Sequence, residues 1–347
     1  MKKPLRFALF GTGYWSQFQL AAWRELVGVE CVALYNRTRR KAEELGARFG
    51  VSAVYDDPER LLDEVDLDFV DIVTDVTTHA PLARLAARRG RAVISQKPMA
   101  DSLIEAEAMT RTCADHGVPL FIHENWRWQR PIRELRRLLA GGEIGDVFRA
   151  GIDMISGFPV FTQQPFLREL DQFILTDLGS HTLDTARFLF GEAHDLTCWT
   201  GRVHADIRGE DHATVVMRMG ARPVNVVVRM AYAGTPLERE CFPQTLFFIE
   251  GSAGSIEVCP DYVIKVTTRD GTRSERFPPA MYPWVDPRYA VVQSSIVACN
   301  TNLLAALHGS APAETTAADN LMTMRLVHAA YDSAQAHQTI TLRRPHR

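Results

Sequence analysis

The sequence has few cysteines, and they form no pattern that would indicate a zinc site or a disulfide framework. Six cysteines are scattered through 347 residues without a CxxC pair. We therefore expect reduced thiols in a cytoplasmic protein.

An excess of charge of one sign is also lacking. The formal net charge is −3 and the sequence pI is near 6.4. Such a balance creates no long-range field that would recruit nucleic acid or an anionic membrane. We expect a small-molecule partner, and neither nucleic acid nor a membrane.

Long apolar runs are missing as well. No segment approaches the ~18 apolar residues of a membrane span. The apolar stretch Phe7–Phe10, which Gly11 interrupts, is too short for the apolar part of a signal peptide. These observations again favour the cytoplasm.

The first part of the chain alternates between short β-branched or aromatic runs and helical patterns. The predicted strands are Arg6–Phe10, Cys31–Tyr35, Ala53–Tyr55, Phe69–Val73, Ala92–Ser95 and Leu120–His123. The predicted helices between them include Thr38–Phe49, Pro81–Arg89 and Leu103–His116. This alternation predicts an α/β fold with a doubly wound, parallel Rossmann sheet.

After Asn125 the pattern changes, because strand-like segments follow one another. They are Val147–Ile155, Leu196–His204, Thr214–Met219, Val224–Ala231, Thr245–Glu250, Ser255–Val258 and Tyr262–Thr267. Helices are predicted at Leu175–Phe190, Tyr289–Leu307 and Ala317–Ala336. Successive short strands with hairpin-like turns predict an α+β domain with a large, mostly antiparallel open sheet.

The length also favours two domains, because a domain usually has about 100 to 200 residues. We predict a dinucleotide-binding domain at residues 1–125 and a substrate-binding and oligomerisation domain at residues 126–347. We expect the last helix to pack back towards the first domain.

A glycine turn follows the first predicted strand and opens the first helix. Gly11 would allow the tight turn, and Gly13 would let the backbone approach a pyrophosphate at the helix N-terminus. Ser16 replaces the third glycine of the usual fingerprint. The turn could be an ordinary strand-to-helix connection, but its place in the first βα unit favours NAD(P) binding.

The end of the second strand leaves the choice between NAD and NADP open. Asn36 stands where an acid usually accepts the ribose hydroxyl. Arg37 and the nearby Arg39 and Arg40 would suit a 2′-phosphate, although they could also be a solvated helix start.

Lys97 lies at the predicted carboxyl end of the fifth strand, between Gln96 and Pro98. Ligands bind at this edge of doubly wound sheets. A lysine there could contact a substrate hydroxyl and assist proton transfer electrostatically.

Asp177 and His181 are four residues apart on a predicted helix and would share one face. A carboxylate beside an imidazole raises its basicity, which suits a general base. A surface pair is the plain alternative. Asp184 could extend the face into a metal site, but a metal would leave the glycine turn and Lys97 without a role, so we predict none.

With these features the chain resembles the Gfo/Idh/MocA family of oxidoreductases over essentially its whole length. The resemblance rests on the glycine turn, the segments Thr74–His79 and Gln96–Pro98, Asn125 with Arg127, the Asp177–His181 segment and the final helix near Tyr331. It implies a sugar or polyol dehydrogenase that uses Lys97, Asp177 and His181 as catalytic residues. It also implies a homodimer or homotetramer formed through the C-terminal sheet.

Two departures from the family pattern concern the cofactor side. Gln96 replaces the usual glutamate, and the usual Thr-Pro-Asn loop reads Thr74-Asp75-Val76. The predicted cofactor-binding residues are Gly11, Thr12, Gly13, Tyr14, Trp15, Asn36, Arg37, Thr74, His79, Gln96 and Lys97.

Three segments narrow the expected substrate. His123–Gln129, Ile155–Phe161 and Cys241–Leu246 resemble an enzyme type that oxidises the anomeric carbon of a branched aldose to a lactone with NAD. The predicted substrate-binding residues are Lys97, Asn125, Arg127, Trp128, Phe158, Arg168, Asp177 and His181. Trp126 and Phe161 could add flat apolar faces for sugar C–H groups, although Trp126 could equally be packing between domains.

Two other functions remain open at this stage. One is an NAD-dependent glycosidase that returns its cofactor unchanged, and the other is a non-catalytic nucleotide-binding sensor. Several polar residues are interpreted as structural: Cys198, His204 and His212 as sheet residues, His123 and Glu124 in a hydrogen bond, and His79 as a helix cap.

Overall fold

The chain divides into two compact units. The computed structural model describes residues 3–158, 160–232 and 244–342. The first unit comprises Met1–Asn125 and Gln293–Met324, and the second comprises Trp126–Val292 and Arg325–Arg347. The sequence prediction places residues 293–324 in the second domain, whereas here they group with the first.

The first unit contains a six-stranded parallel sheet. Its strands are β1 (Leu5–Phe10), β2 (Val29–Tyr35), β3 (Val54–Tyr55), β4 (Phe69–Ile72), β5 (Ala92–Gln96) and β6 (Leu120–His123). They lie in the order β3-β2-β1-β4-β5-β6. This is the dinucleotide-binding order, so the predicted doubly wound sheet is confirmed.

Five helices connect these strands. They are α1 (Ser16–Arg24), α2 (Arg39–Phe49), α3 (Pro58–Glu64), α4 (Val76–Arg88) and α5 (Leu103–Asp115). The strand order reverses between β1 and β4, which are hydrogen-bonded neighbours. The connections after these two strands therefore meet at the switch point where such sheets bind ligands.

Two helices of this unit differ from the sequence prediction. α3 was not predicted, because its seven residues are too few to show a clear helical period. α4 begins at Val76 rather than at Pro81, because the Asp75 side chain accepts the Thr77 N–H and caps the helix there. Pro81 lies inside the helix, where it removes one backbone donor.

The second unit contains a nine-stranded sheet. Its strands are β7 (Val147–Ser156), β8 (Ala193–Gly201), β9 (His212–Met219), β10 (Val224–Tyr232), β11 (Leu246–Gly251), β12 (Gly254–Cys259), β13 (Val263–Thr268), β14 (Gly271–Arg276) and β15 (Ile340–Thr341). Among its described strands, β7 and β10 form the one parallel pair. The predicted large, mostly antiparallel sheet is confirmed, but β14 and β15 were missed.

The remaining described α-helices are α6 (Arg130–Ala140), α7 (Val160–Gln163), α8 (Ser180–Phe190), α9 (Ala290–Leu307) and α10 (Ala317–Ala336). α10 begins with a threonine cap, because Thr316 Oγ1 accepts the Asp319 N–H at 3.2 Å. The segment Trp126–Trp128 is a 3-10 helix. Pro287–Leu307 is long and apolar enough to cross a membrane, but 67% of its most apolar window is buried within the protein.

One face of the nine-stranded sheet is open. Burial alternates along β9 and β10, as expected for a sheet with one buried and one exposed face. The exposed face carries ion pairs between neighbouring strands: Arg149 with Glu250, Arg229 with Asp153, Arg218 with Asp195 and Lys265 with Glu257.

The five described cysteines, Cys31, Cys113, Cys198, Cys259 and Cys299, are free thiols. Burial raises the pKa of Cys31 to about 12 and that of Cys113 to about 11. Such thiols are unreactive at neutral pH, since the thiolate is the nucleophile. Cys241 lies outside the described residues, and the cytoplasmic location stays a prediction.

Candidate active site

The glycine turn after β1 has two glycines with different functions. Gly11 has a φ of +101°, and a Cβ there would lie 2.6 Å from the Val73 carbonyl oxygen. The fold therefore requires glycine at this position. A Cβ on Gly13 would meet no described atom within 4 Å. Packing within the protein does not require glycine there, whereas the close approach of a pyrophosphate would.

The start of α1 lacks the side-chain cap that commonly satisfies the first backbone N–H groups of a helix. Trp15 precedes the helix and makes no side-chain capping hydrogen bond. Ser16 is buried, and its hydroxyl donates to the Gly13 carbonyl oxygen at 2.5 Å. Tyr14 is exposed and packs edge-to-face on Trp15. The turn therefore fits the phosphates of a dinucleotide, which bind at helix N-termini.

Asn36 and the arginines after β2 lie beside this turn. The Asn36 side chain accepts the Thr12 N–H at 3.2 Å and donates to the Thr38 carbonyl oxygen at 3.0 Å. Arg39 and Arg40 pair with glutamates one helical turn along α2. Arg37 is exposed. Of the three arginines, Arg37 is thus the best candidate for a 2′-phosphate contact.

Thr74, His79 and the loop after β5 are brought together. His79 is buried within α4, so its predicted role as a helix cap is wrong. Its ring nitrogens lie 2.9 Å from the Pro98 carbonyl oxygen and 3.2 Å from that of Thr74. Burial lowers the pKa of His79. A neutral ring can donate to one of these oxygens, and His79 thereby links the two loops on the cofactor edge.

Lys97 follows β5 directly, at the carboxyl end that was predicted. Its backbone N–H donates to Gln96 Oε1 at 3.2 Å. The Gln96 Nε2 atom lies 3.2 Å from Nδ1 of His123, on the neighbouring strand β6. The lysine is therefore anchored through its backbone to the side chain that precedes it.

In the second unit, Asp177 lies in a π-helical turn, Leu175–Gly179, which continues into α8. The predicted helix is thus present, but its first turn is wider than an α-helical turn. Asp177 and His181 therefore do not have the ordinary spacing of an α-helix. π-Helical turns of this kind occur frequently at functional sites.

Residues distant in sequence cap this π-helical turn. Oε1 of Glu210 accepts the Leu175 N–H at 3.3 Å and the Tyr331 hydroxyl at 2.7 Å. The Tyr331 oxygen in turn accepts the Thr176 N–H at 3.3 Å. These contacts satisfy donors that the start of a helix leaves without partners.

Tyr232 holds the Asp177 side chain. The Tyr232 hydroxyl donates to Asp177 Oδ2 at 2.9 Å. Burial, and then the charge of Asp177, raises the pKa of Tyr232 well above its usual value. The phenol therefore stays protonated and remains a donor. Its ring stacks on Phe173 at a centroid distance of 5.6 Å, and Phe173 contacts Phe161.

Trp126 holds the imidazole of His181. The two rings stack with their centroids 4.3 Å apart and an angle of 23° between their planes. The Trp126 indole N–H donates to Thr245 Oγ1 at 2.9 Å, which fixes the orientation of the indole. Trp126 therefore packs within the second unit and restricts the rotation of His181.

Arg127 and Asp184 form a buried ion pair within 2.5–2.8 Å. Their side chains are 5% and 0% exposed. This geometry gives Asp184 a structural partner, in contrast to its alternative role as a metal ligand. The ion pair also occupies the guanidinium group of Arg127, which was predicted to bind the substrate. Among the described residues, no group of three or more histidine, cysteine or acidic side chains could hold a metal ion.

The other predicted substrate residues occupy varied surroundings. In the first unit, Asn125 donates to Ser295 Oγ at 2.7 Å. In the second, Phe158 is buried against Tyr289, and Arg168 pairs with Asp206. The indole nitrogen of Trp128 is buried and has no hydrogen-bond partner among the described residues.

Most of the polar residues that were interpreted as structural do have structural positions or contacts. Cys198 lies in β8 and His212 in β9. His204 lies in a loop, and not in the sheet as predicted, where it pairs with Asp211 at 2.7 Å. His123 makes a structural hydrogen bond to Asn300 at 3.0 Å.

Sequence reasoning missed Tyr232, Glu210 and the stacking role of Trp126. Tyr232 is the last residue of an otherwise regular strand, and Glu210 lies in a loop. No local period or motif marks either residue, since their partners are more than 30 positions away in the chain.

The chain is similar to known oxidoreductases over nearly its full length. Residues 5–124 match the model of an oxidoreductase family with an NAD-binding Rossmann fold, and residues 132–257 match the GFO/IDH/MocA C-terminal domain. A D-apiose dehydrogenase from Paraburkholderia graminis is 39% identical, with 98% of this chain and 90% of the relative covered. A D-apiose dehydrogenase from Rhizobium rhizogenes is 38% identical, with 97% of each chain covered.

A solved structure is similar to the same extent. It is an oxidoreductase from Agrobacterium radiobacter in complex with NAD+, L-tartaric acid and magnesium. The TM-score is 0.94 with 37% sequence identity, and 98% of each chain is covered.

Proposed function

Because the chain belongs to the Gfo/Idh/MocA family of NAD-binding oxidoreductases, we propose that it oxidises D-apiose at C1 to a lactone. The observation that carries this proposal is the identity of 38–39% to two D-apiose dehydrogenases over nearly the full length. The anomeric carbon of a cyclic aldose is a hemiacetal carbon that carries one hydrogen and one hydroxyl group. Its oxidation to a lactone removes a proton from the hydroxyl group and a hydride from the carbon.

The glycine turn supports dinucleotide binding by this chain. Gly13 leaves open the space that a side chain would fill, and α1 begins without a side-chain cap. Thr12 and Asn36 order the turn through their mutual hydrogen bond. When bound, the nicotinamide supplies the acceptor for the hydride. The protein's own residues must then bind the sugar and remove its hydroxyl proton.

We assign the role of general base to His181. A base must keep a defined orientation towards the proton that it removes. The stack on Trp126 restricts the ring plane of His181, and the bond from Trp126 to Thr245 fixes the tryptophan in turn. This support comes from residues that do not react, as expected for a preorganised base.

Asp177 and Lys97 receive supporting roles. Asp177 orients and stabilises the protonated His181, and the protonated Tyr232 holds the Asp177 carboxylate in place. Lys97 lies at the ligand-binding edge of the parallel sheet, where its charge assists the loss of the hydroxyl proton.

The predicted sugar contacts are retained in this proposal with one change. Trp128 has a buried indole N–H without a partner among the described residues, which favours donation to a sugar hydroxyl. Asn125, Phe158 and Arg168 stay as predicted contacts. Arg127 is reassigned to hold α8 through Asp184, because a buried, paired guanidinium is costly to release.

The main experiment measures reduced cofactor formed by the purified protein with D-apiose and other aldoses and polyols. We expect NADH to accumulate with D-apiose, and hydroxylamine should trap the lactone as a hydroxamate. A glycosidase would release product without net NADH, and a sensor would do neither. His181→Ala should lower kcat at least about 100-fold with little change in the Kd for NADH.

The exposed His116, which follows α5 as its C-cap residue, provides a matched control. His116→Ala removes an imidazole without touching any assigned residue, so its turnover should equal that of the wild type. A fully active His181→Ala variant would exclude His181 as the base.

The preference for NAD or NADP is tested at Asn36 and Arg37. Under this proposal the chain is active with NAD, and the ratio of its kcat/KM values for NAD and NADP gives the preference. Asn36→Asp should favour NAD, because a carboxylate accepts from the ribose and repels a 2′-phosphate. If Arg37 contacts the 2′-phosphate, Arg37→Ala should weaken the binding of NADP more than the binding of NAD.

We also propose that the open face of the nine-stranded sheet joins copies of this chain into a homodimer or homotetramer. Besides its ion pairs, the sheet exposes large apolar side chains at Trp199, Val216 and Phe248. Light scattering tests this proposal: a monomer at micromolar concentration would contradict it.

A further inference from the structure

A continuous chain of hydrogen bonds runs through the first unit from the backbone of Lys97. The Lys97 N–H donates to Gln96 Oε1 at 3.2 Å, and Gln96 Nε2 lies 3.2 Å from His123 Nδ1. The other ring nitrogen of His123, Nε2, lies 3.0 Å from Asn300 Oδ1. His123 and Asn300 are buried, with exposures of 1% and 0%, so bulk water cannot substitute for these contacts.

The direction of each bond follows from the first donor. A backbone N–H can only donate, so the oxygen of the Gln96 amide must face Lys97. The amide nitrogen then faces His123 and donates, which makes Nδ1 of the imidazole an acceptor. A neutral imidazole that accepts at Nδ1 carries its proton on Nε2. That proton points at the oxygen of Asn300.

The hydrogen bonds at the other end of this series, around Asn300, agree with this assignment of donors and acceptors. Asn300 Oδ1 also accepts from Gln19 Nε2 at 3.3 Å. Gln19 Nε2 in turn donates to Asp71 Oδ2 at 2.8 Å, and so does the indole of Trp23 at 2.6 Å. The Asn300 oxygen is therefore an acceptor on both sides, as the proton on His123 requires.

We propose that Gln96 and His123 are positioning residues for Lys97, and that the neutral amide at position 96 keeps His123 in its neutral, Nε2-protonated form. This inference rests on the proposed role of Lys97. Gln96 stands where the family pattern has glutamate. The amide of glutamine donates to Nδ1 of His123, whereas a glutamate carboxylate would have to accept a hydrogen bond from it. A carboxylate cannot donate, so it would require a proton on Nδ1 while Asn300 still requires one on Nε2.

The residue at position 96 thus determines the charge of the His123 imidazole, which is linked to the Lys97 backbone through that residue. With glutamine the group Gln96–His123 is neutral. In Gln96→Glu, residue 96 is a carboxylate and His123 is an imidazolium, since both ring nitrogens of His123 then face acceptors. The Lys97 backbone bond survives in either case, because glutamine and glutamate both present an oxygen to it.

The spectroscopic test uses the full chain with 15N-labelled histidine. Long-range 1H–15N correlation distinguishes the two neutral tautomers and the imidazolium, and the His123 signals are assigned by their loss in His123→Gln. At about neutral pH we expect only Nε2 of His123 to be protonated in the wild type, and both nitrogens in Gln96→Glu. An imidazolium or an Nδ1–H in the wild type would overturn the proposal.

The kinetic test uses His123→Leu and His123→Gln. Leucine removes both bonds, so we expect kcat to fall about 10-fold with less than about a 2-fold change in KM for the cofactor. Glutamine can accept from Gln96 and donate to Asn300, so it should recover part of the loss. His116→Gln, at the exposed C-cap of α5, is the control, with unchanged kinetics.

The two tests separate this inference from the proposed function. If His123→Leu turns over within about 2-fold of the wild type, the positioning role is wrong. If it fails to fold, Gln96→Glu and the tautomer spectrum still decide the protonation claim. The spectrum needs no substrate, so an enzyme inactive on every sugar would refute the proposed function and leave the state of His123 measurable.

Discussion

The hydroxyl of Tyr232 donates to Oδ2 of Asp177 over 2.9 Å, and this bond joins the end of β10 to the π-helical turn before α8. The bond depends on a phenol that stays protonated, which burial and the charge of Asp177 ensure. A half-buried carboxylate with a fixed neutral donor keeps one orientation. Tyr232 therefore determines where the charge of Asp177 is held.

Tyr232→Phe should lower kcat about 10-fold, because hydrogen bonds to charged groups contribute about 1.5–3 kcal/mol. The Kd for NADH, which we assign to the glycine turn, should not change. Steady-state kinetics and a fluorescence titration with NADH measure the two quantities. Equal kcat in the variant and the wild type would show that Asp177 needs no such support.

Tyr331→Phe should lower the free energy of unfolding by about 1–3 kcal/mol, because it leaves a Glu210 oxygen and the Thr176 N–H without this partner. Chemical denaturation measures the loss. Tyr55→Phe is the matched control, because the Tyr55 hydroxyl contacts the exposed Glu64 and its removal should cost less than about 1 kcal/mol. Equal losses in the two variants would contradict the capping role of Tyr331.

Gly11→Ala and Gly13→Ala should have different effects. A methyl group at position 11 meets the Val73 carbonyl oxygen at 2.6 Å and requires a strained φ, so this variant should unfold at a clearly lower temperature. A methyl group at position 13 meets no described atom within 4 Å. Gly13→Ala should therefore keep its melting temperature and bind NADH at least about 10-fold more weakly. Unchanged NADH affinity would place the dinucleotide elsewhere.

Asp71 should make the stability of the protein dependent on pH. Burial raises the pKa of Asp71 from 3.8 to about 6. The folded state then holds this proton more tightly than the unfolded state, so the contribution of Asp71 to stability falls as the pH rises through this range. Asp71→Asn has no charge to bury. The free energy of unfolding of the variant, relative to the wild type, should increase by about 1–2 kcal/mol from about pH 5 to about pH 8.

Asp101→Asn is the control for this measurement, because Asp101 is exposed. This variant measures the effect of removing an exposed carboxylate, and the change with pH for Asp71→Asn should exceed the change for Asp101→Asn. A constant or shrinking difference for Asp71→Asn would show that the Asp71 carboxyl is not destabilised by burial.

The fold of the first unit was largely predictable because its signals are local. Alternating strands and helices, with Gly11 at the first turn, specify the parallel sheet, and the edge that bears Lys97 follows from the strand order. The start of α4 was misplaced because Pro81 is a strong helix-start signal in a sequence, whereas the Asp75 cap is seen only in three dimensions.

The surroundings of Asp177 and His181 were not predictable from the sequence. The spacing of Asp177 and His181 indicated a helical pair, but the π-helical turn depends on caps from Glu210 and Tyr331. The stacking partner of His181 is Trp126, which lies 55 positions earlier in the chain. Tertiary contacts at such separations leave no period in the sequence.

The most direct test of the proposed function is the ultraviolet absorbance of NADH during incubation of the purified protein with NAD and D-apiose. We predict steady accumulation of NADH, which His181→Ala abolishes and His116→Ala does not change. Accumulation of NADH at the wild-type rate by His181→Ala, or none by the wild type with D-apiose or any other aldose or polyol, would contradict this function and its assignment to His181.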